Sequence, residues 1–263
     1  MDTLKEIEQV AGDPNFMSSL ARGLAVIRGF SRAKRHMSIA QLSLKTGIPR
    51  AAVRRCLYTL GRLGYVGTED GRHYSLQPKL LGLGHAFLSS TPLVVTAQPF
   101  LDRVSDAVNE SCSLGMLEGE DILYLARSVT SRIISVTLNV GSRLPAHCTS
   151  IGHVLLANLS EKDLQHYLDH AELRAYTERT VSTRQKLVEQ LDAVRTAGYA
   201  IADQLMELQV RSIAVPVRNA AGRVVAGMNV IVQASRVSLR DMKNLYLPPL
   251  QAAARDLGAQ LIA

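Results

Sequence analysis

Residues 38–62, SIAQLSLKTGIPRAAVRRCLYTLGR, carry two short runs of helical apolar periodicity split by a Gly-Ile-Pro break, and few folds accommodate that pattern. In the first run Ser38 can accept from free backbone N–H groups, Ile39 and Leu42 face inward, and Gly47 supplies the positive φ that ends a helix. The second run has Pro49 in its first turn, where a missing N–H matters little. A helix, a turn of three or four residues holding a Gly, and a second helix make a helix-turn-helix. Upstream, SLARGLAVIRGF adds a third helical block, with Leu20, Leu24 and Ile27 on one face and Ser18 or Ser19 as its cap. Downstream, GYVGTEDGRHYSL holds two β-prone runs, residues 65–68 and 73–76, joined through Asp70-Gly71, a strong hairpin signal. The expected unit is a winged helix-turn-helix over residues 17–78, preceded by a tail over residues 1–16.

The charge distribution gives this unit a partner. The chain has 263 residues and a formal net charge of +7. Residues 1–90 hold 13 Lys plus Arg against 6 Asp plus Glu, and the remainder is balanced at 17 and 17. All the excess positive charge therefore sits beside the helix-turn-helix, as double-stranded operator DNA would require. At about 100° per residue, Val53, Leu57 and Leu60, with Cys56 beside them, share the buried stripe of the second helix. Ala51, Arg54, Arg55, Tyr58 and Arg62 fall opposite, and Arg50 lies near the helix start on the boundary. The N-terminal residues of a recognition helix reach base edges, and Arg bidentate to guanine is the commonest specific contact. The candidate DNA-binding set is Ser38, Arg50, Ala51, Arg54, Arg55 and Tyr58, with Arg72 and His73 from the wing. An ordinary solvated face is the competing explanation, but no acidic residue stands at i+4 to balance these arginines.

Residues 79–91 read as a linker helix with Leu80, Leu81, Leu83, Phe87 and Leu88, too apolar to stand alone and suited to pairing with a second copy. From residue 92 helices and strands alternate. A helix spans about 94–109; a hairpin turns at 118–121; strands follow near 122–127 and 133–136. Ser160 with Asp163, and Ser182 with Gln185, cap two helices, the second ending before Gly198. YAIAD, SIAVPV and VVAGMNVIV are further strands, the last two joined by a turn at residues 219–222. Ser238 opens a C-terminal helix that Pro248 and Pro249 interrupt or kink. The class is α+β with an antiparallel sheet.

No apolar run approaches the ~18 residues of a membrane span, and the N-terminus lacks the pattern of a signal peptide, so the expected location is the cytoplasm. Cys56, Cys112 and Cys148 are too few and too scattered for a disulfide framework or a zinc site. His147, Cys148 and His153 invite a thiol-nucleophile or metal reading, but no third ligand or orienting carboxylate stands at recognisable spacing. No enzyme, metal or other cofactor is expected.

The segments SLARGLAVIRGF, GIPRAAVRRCLYTLGRLGYV, GSRLPAHCTSIGHVLLA, TAGYAIADQ and RSIAVPVRNAAGRVVAGMNV resemble the IclR family of bacterial transcription regulators. Within it they most resemble the PcaR/PcaU/PobR branch, associated with aromatic-acid and β-ketoadipate catabolism. The resemblance covers nearly the whole chain after about residue 16. It implies a linker helix and, over residues 92–263, a GAF-like effector-binding domain that takes a small carboxylate, in a dimer or tetramer, with contact to RNA polymerase as one possible output. A DNA-binding protein without an effector is the alternative, and the neutral second domain argues against it. The resemblance places the effector at Met116, Ala146, His147, Thr149, Ser150, Gly152, Asp203, Ser212, Asn229 and Ile231. Hydroxyl and N–H donors at Thr149, Ser150 and Gly152, leading into an apolar helix, suit a carboxylate. Arg132 or Arg143 is available for charge, although either fits an exposed surface equally well. Two features depart from the family: Leu205 and Gln209 stand where an acidic residue and a Gly are frequent, and His153 stands where Lys or Arg is common.

Overall fold

A computed structural model describes residues 3–10, 12–31, 34–130 and 138–261. The chain divides into two compact units, residues 1–87 and 88–263.

In the first unit α1 (Thr3–Gln9) precedes α2 (Ser18–Arg28), β1 (Met37–Ser38), α3 (Ile39–Thr46), α4 (Arg50–Arg62), β2 (Val66–Thr68) and β3 (His73–Leu76). The segment expected as a tail is thus partly helical, and Ile7 is buried in the core with Val26, Leu42, Ile48, Val53 and Leu57. α3 opens with a reciprocal capping box: the Ser38 hydroxyl accepts from Gln41 N–H, and the Gln41 side chain accepts from Ser38 N–H. It closes at Gly47, whose φ of 74° is the left-handed conformation that glycine adopts without strain. The Thr46 hydroxyl donates to the Leu42 carbonyl and accepts from Ile48 N–H, while Ile48 is fully buried, so the three-residue turn into α4 is pinned at both ends.

Two expectations for α2 change. Its cap is Met17, without a side-chain hydrogen bond, rather than Ser18 or Ser19. Its buried residues are Ala25 and Val26, whereas Leu20 and Leu24 are 58% and 48% exposed. The wing forms as expected, with Gly71 at φ 70°, but gains a third strand: the order is β1-β3-β2, with Met37 opposite Tyr74. A 3-10 turn (Pro78–Leu80) then leads into α5 (Leu81–Ser90), which has no buried residue and exposes Leu81, Leu83 and Phe87.

The second unit comprises α6 (Pro92–Val108), β4 (Ser111–Glu118), β5 (Asp121–Ser128), β6 (Arg143–Pro145), α7 (Ser150–Ala157), α8 (Glu161–His170), α9 (Arg184–Ala197), β7 (Ala200–Asp203), β8 (Val210–Arg218), β9 (Val224–Gln233), α10 (Leu239–Asp241) and α11 (Leu247–Ala259). The strand expected at residues 133–136 lies outside the described residues. The six strands among the described residues form one antiparallel sheet in the order β6-β5-β4-β9-β8-β7. Alternation along β9 sends Ala226, Met228, Val230 and Val232 toward α6 and α11, and Ile231 toward α7 and α9. Each face therefore has its own apolar cluster beneath helices.

Two helix starts here are capped as anticipated, Ser160 and Ser238 accepting from Asp163 and Asp241 N–H. For α9 the cap is Thr183, which accepts from Lys186 N–H, one residue later than expected. Pro248 and Pro249 fall in the first turn of α11, where a missing N–H matters little, directly after a π-helical stretch (Met242–Tyr246).

α7 sits unusually close to its neighbours because glycines let it. Ile151 packs onto the cross-strand neighbourhood of Gly115 and Gly227, and a Cβ on Gly227 would come within 2.8 Å of Ile151. On the other side, a Cβ on Gly152 would lie 1.9 Å from the Ala146 carbonyl oxygen. This packing fixes the N-terminus of α7 over β8.

Candidate functional site

The first unit presents the α4 face largely as its helical angles predict. Arg50, Ala51, Arg54, Arg55, Tyr58 and Arg62 are exposed, and Val53, Leu57 and Leu60 are buried. Among the described residues, no carboxylate pairs with Arg50, Arg54 or Arg55. The arginines are not equivalent, however. Arg55 borders an apolar groove between α2 and α4 that Leu20, Leu24, Ile27 and Cys56 line, whereas Arg54 is absent from that groove. Ser38 belongs to the capping box of α3, so its hydroxyl already serves the helix. In the wing, Asp70 accepts from the backbone N–H of Arg72 and His73 and pairs with His73 Nδ1 at 2.7 Å. The His73 N–H and ring, then the Arg72 N–H, hold the Asp70 carboxyl far below the usual carboxylate range. The exposed His73 ring is thus tied back to Asp70, and Arg72 is exposed beside it.

In the second unit, a small cleft of about 50 Å³ lies on the sheet face under α7. Thr149, Ser212, Asn229 and Ile231 line it, as the resemblance implies. The remaining expected residues stand elsewhere. Ala146, His147, Ser150 and Gly152 are buried behind the wall; Ser150 touches it indirectly through a 2.8 Å hydroxyl contact with Ser212. Thr149 Oγ1 accepts from Gly152 N–H at 3.1 Å, so that helix-start donor already has an acceptor. Asp203 binds Arg211 Nε at 2.7 Å and Arg179 Nη1 at 2.9 Å. Desolvation opposes its charge, but hydrogen bonds from Arg211 and Gln204 prevail and keep its carboxyl below the usual range. Met116 packs with the cluster on the opposite face of the sheet. Of the two arginines expected to supply charge, Arg143 pairs with Glu118 at 2.7 Å near the surface, and Arg132 lies outside the described residues.

Among the described residues, the cation that lines the cleft is Arg127, which no motif marks. It arrives there through a β-bulge. Gly115 is paired with Tyr124 and Leu114 with Ala126, leaving Leu125 as the extra residue of β5. Tyr124 and Arg127, three apart, consequently face the same side, where simple alternation would have turned Arg127 away. Arg127 Nη1 donates to the Leu138 carbonyl, while its buried Nε has no partner. The rest of the lining is mainly apolar, including Leu144, Leu205 and Met206, with Glu207 as its carboxylate. Leu205, one of the family departures, is thus part of the apolar wall; Gln209 occupies a left-handed backbone position at φ 67°, where glycine would be unstrained.

The His147, Cys148 and His153 cluster has no nucleophile geometry. Both ring Nε2 atoms donate to backbone carbonyls, His147 to Arg174 at 2.9 Å and His153 to His147 at 2.7 Å. The Cys148 thiol has Pro145 O and Met206 Sδ as alternative acceptors for its single S–H, and burial, then the Asp121 charge, pushes it up to about 12. It stays a thiol at neutral pH. His153 is fully buried with Nδ1 unpartnered, and desolvation lowers its pKa to about 4. A histidine depressed on folding takes up its proton first in the unfolded chain, so stability is lost as pH falls from about 6.5 toward about 4. Urea denaturation at about pH 7.5 and about pH 5 is expected to show this unit weakened by roughly 2 kcal/mol, and His153→Gln should flatten that slope.

Comparison with known proteins agrees with this architecture. The IclR helix-turn-helix domain model matches residues 19–70, and the model of the bacterial transcriptional regulator IclR C-terminal domain matches residues 85–259. The Pca regulon regulatory protein of Pseudomonas putida is 54% identical over 258 residues, which is 98% of this chain and 88% of that protein. A crystal structure of a Rhodococcus sp. RHA1 protein assigned to transcriptional regulation superposes with a TM-score of 0.81 at 41% identity, covering 94% of this chain and 98% of that one. The inducer-binding domain of the Acinetobacter PobR transcription factor, a double mutant in complex with 3-hydroxybenzoic acid, superposes with a TM-score of 0.60 at 32% identity, covering 64% of this chain and 98% of that domain. With both domain models matched in order and a relative alike over almost its full length, this chain belongs to the IclR family of bacterial transcriptional regulators, in its Pca- and PobR-like branch.

Proposed function

We propose that this regulator binds operator DNA through Arg50, Ala51, Arg54, Arg55 and the wing, and senses a small organic or aromatic acid in the cleft under α7. The observation that carries the sensing half is a mainly apolar cleft with an arginine whose buried Nε lacks a partner. Such a lining fits a compact apolar body with an anionic end. The 3-hydroxybenzoic acid in the PobR domain supports the same ligand class. The protein works in the cytoplasm as a dimer or tetramer. α5 supports this, because its exposed Leu81, Leu83 and Phe87 suit burial against a second copy. Ligand binding favours one arrangement of the two DNA-binding heads and thereby changes operator affinity.

Thermal melting with protocatechuate, 4-hydroxybenzoate and β-ketoadipate tests the sensing reading. Ligand at about 100 times its Kd adds roughly 2.7 kcal/mol, raising Tm by about 5–10 °C in a unit of this size. No shift with any of the three acids would count against it.

A further inference from the structure

The cross-strand register on the cleft face aligns three polar side chains on neighbouring strands. Arg127 of β5 is opposite Ser113 of β4, and Ser113 is opposite Asn229 of β9. Directly opposed residues of antiparallel strands point to the same face, so the three form one rung. Each has a buried polar atom without a partner among the described residues: Arg127 Nε, Ser113 Oγ and Asn229 Oδ1. Ser113 is fully buried and Asn229 is 2% exposed. Leaving one such group unsatisfied costs about 1–3 kcal/mol, and three side by side in a mainly apolar layer are a concentration that packing alone does not explain. The bulge at Leu125 is what turns Arg127 into this row, and bulges are frequent where a side chain must be re-aimed at a site.

The rung differs from the other polar groups nearby. Asp203 is satisfied by two arginines, Thr149 caps α7, and Ser150 and Ser212 are in contact with each other. Arg127 and Asn229 line the cleft, and Ser113 is fully buried between them on the same sheet face; among the described residues, only this row brings a cation together with unmet hydrogen-bonding capacity there. Burial lowers the Arg127 pKa, so its guanidinium gains from a negative partner there.

Resting on the reading of this unit as an acid sensor, we infer that the Arg127–Ser113–Asn229 rung is the anchor for the ligand's carboxylate. Arg127 Nε–H and the Ser113 hydroxyl donate to the carboxylate oxygens. Asn229 Oδ1 accepts from a hydroxyl of the ligand or from a water held beside the anion. The apolar body then lies toward Leu205 and Ile231. The ligand's charged end is read by the sheet and not by the helix start, whose Gly152 N–H Thr149 already satisfies.

The test compares 4-hydroxybenzoate and protocatechuate each with its neutral amide by calorimetric titration of the full-length protein. Wild type is expected to prefer acid over amide by roughly tenfold or more. Arg127→Gln should bring that ratio near one while leaving amide binding in place, Arg127→Lys should retain part of it, and Ser113→Ala should lower it severalfold. Circular dichroism establishes that each variant folds; if Arg127→Gln does not, Ser113→Ala and the wild-type ratio decide. Wild-type acid affinity in Arg127→Gln or Ser113→Ala, or a wild-type ratio near one, would overturn the anchor while sparing the sensor. Failure of the wild type to bind any of the acids would remove the sensor reading, and the anchor with it.

Discussion

Replacing Arg54 by Ala is expected to weaken operator binding by roughly 1–3 kcal/mol while changing affinity for random duplex DNA little. The residue stands in the first half of the recognition helix, exposed and without a carboxylate partner among the described residues. Its guanidinium is thus available as a planar fork for a guanine edge. Arg55 lies one position on but borders the apolar groove against α2, so its replacement should take less from discrimination and more from general affinity. Anisotropy titrations on the intergenic DNA beside the gene and on a scrambled duplex, at one salt concentration, separate the two effects. Equal losses on both duplexes would make Arg54 a phosphate contact.

The largest expected loss of stability is at Gly152. An alanine there would set its Cβ 1.9 Å from the Ala146 carbonyl oxygen, a backbone atom that no rotamer change can move. Overpacking against side chains typically costs about 1–3 kcal/mol, and a backbone clash in the most buried helix should exceed that. Gly152→Ala is therefore expected to unfold the second unit at a much lower denaturant concentration and to abolish its melting response to acids. Gly82→Ala in α5 is the internal comparison. Nothing lies within 4 Å of its added Cβ, so it should be neutral or slightly stabilising. A Gly152→Ala protein as stable as wild type would contradict the close packing of α7 on the Ala146 turn.

What could be read before the structure follows from how local each signal is. The Ser38 cap, the Gly47 stop and the Asp70-Gly71 hairpin each depend on a few neighbouring residues, and all three form. The placement of Arg54 depends only on helical angle. Long-range pairing was harder to read. β1 is two residues long and exists because Met37 and Ser38 pair with β3, so no period could announce it. Leu20 and Leu24 make an apolar stripe that the unit itself does not cover, and periodicity alone does not separate a core face from a contact face. Thr183 and Ser182 are both chemically able to cap α9, and only the backbone path selects between them. In the cleft, Thr149, Ser212, Asn229 and Ile231 were accessible through family resemblance. Arg127 was not, because an undisturbed alternation from Tyr124 would have aimed it at the other face. The bulge opposite Leu114 and Gly115 reverses that, and a register shift leaves no mark in a single sequence.

Acid binding in one unit is expected to change DNA binding by the other, a coupling that by reciprocity must appear in both affinities. Its most direct measurement is an anisotropy titration of the intergenic DNA with the full-length protein, with and without a saturating concentration of whichever acid raises Tm. A shift in DNA affinity of at least about fivefold is expected, and in Arg127→Gln it should require a correspondingly higher acid concentration. An unchanged DNA affinity with acid demonstrably bound would contradict it.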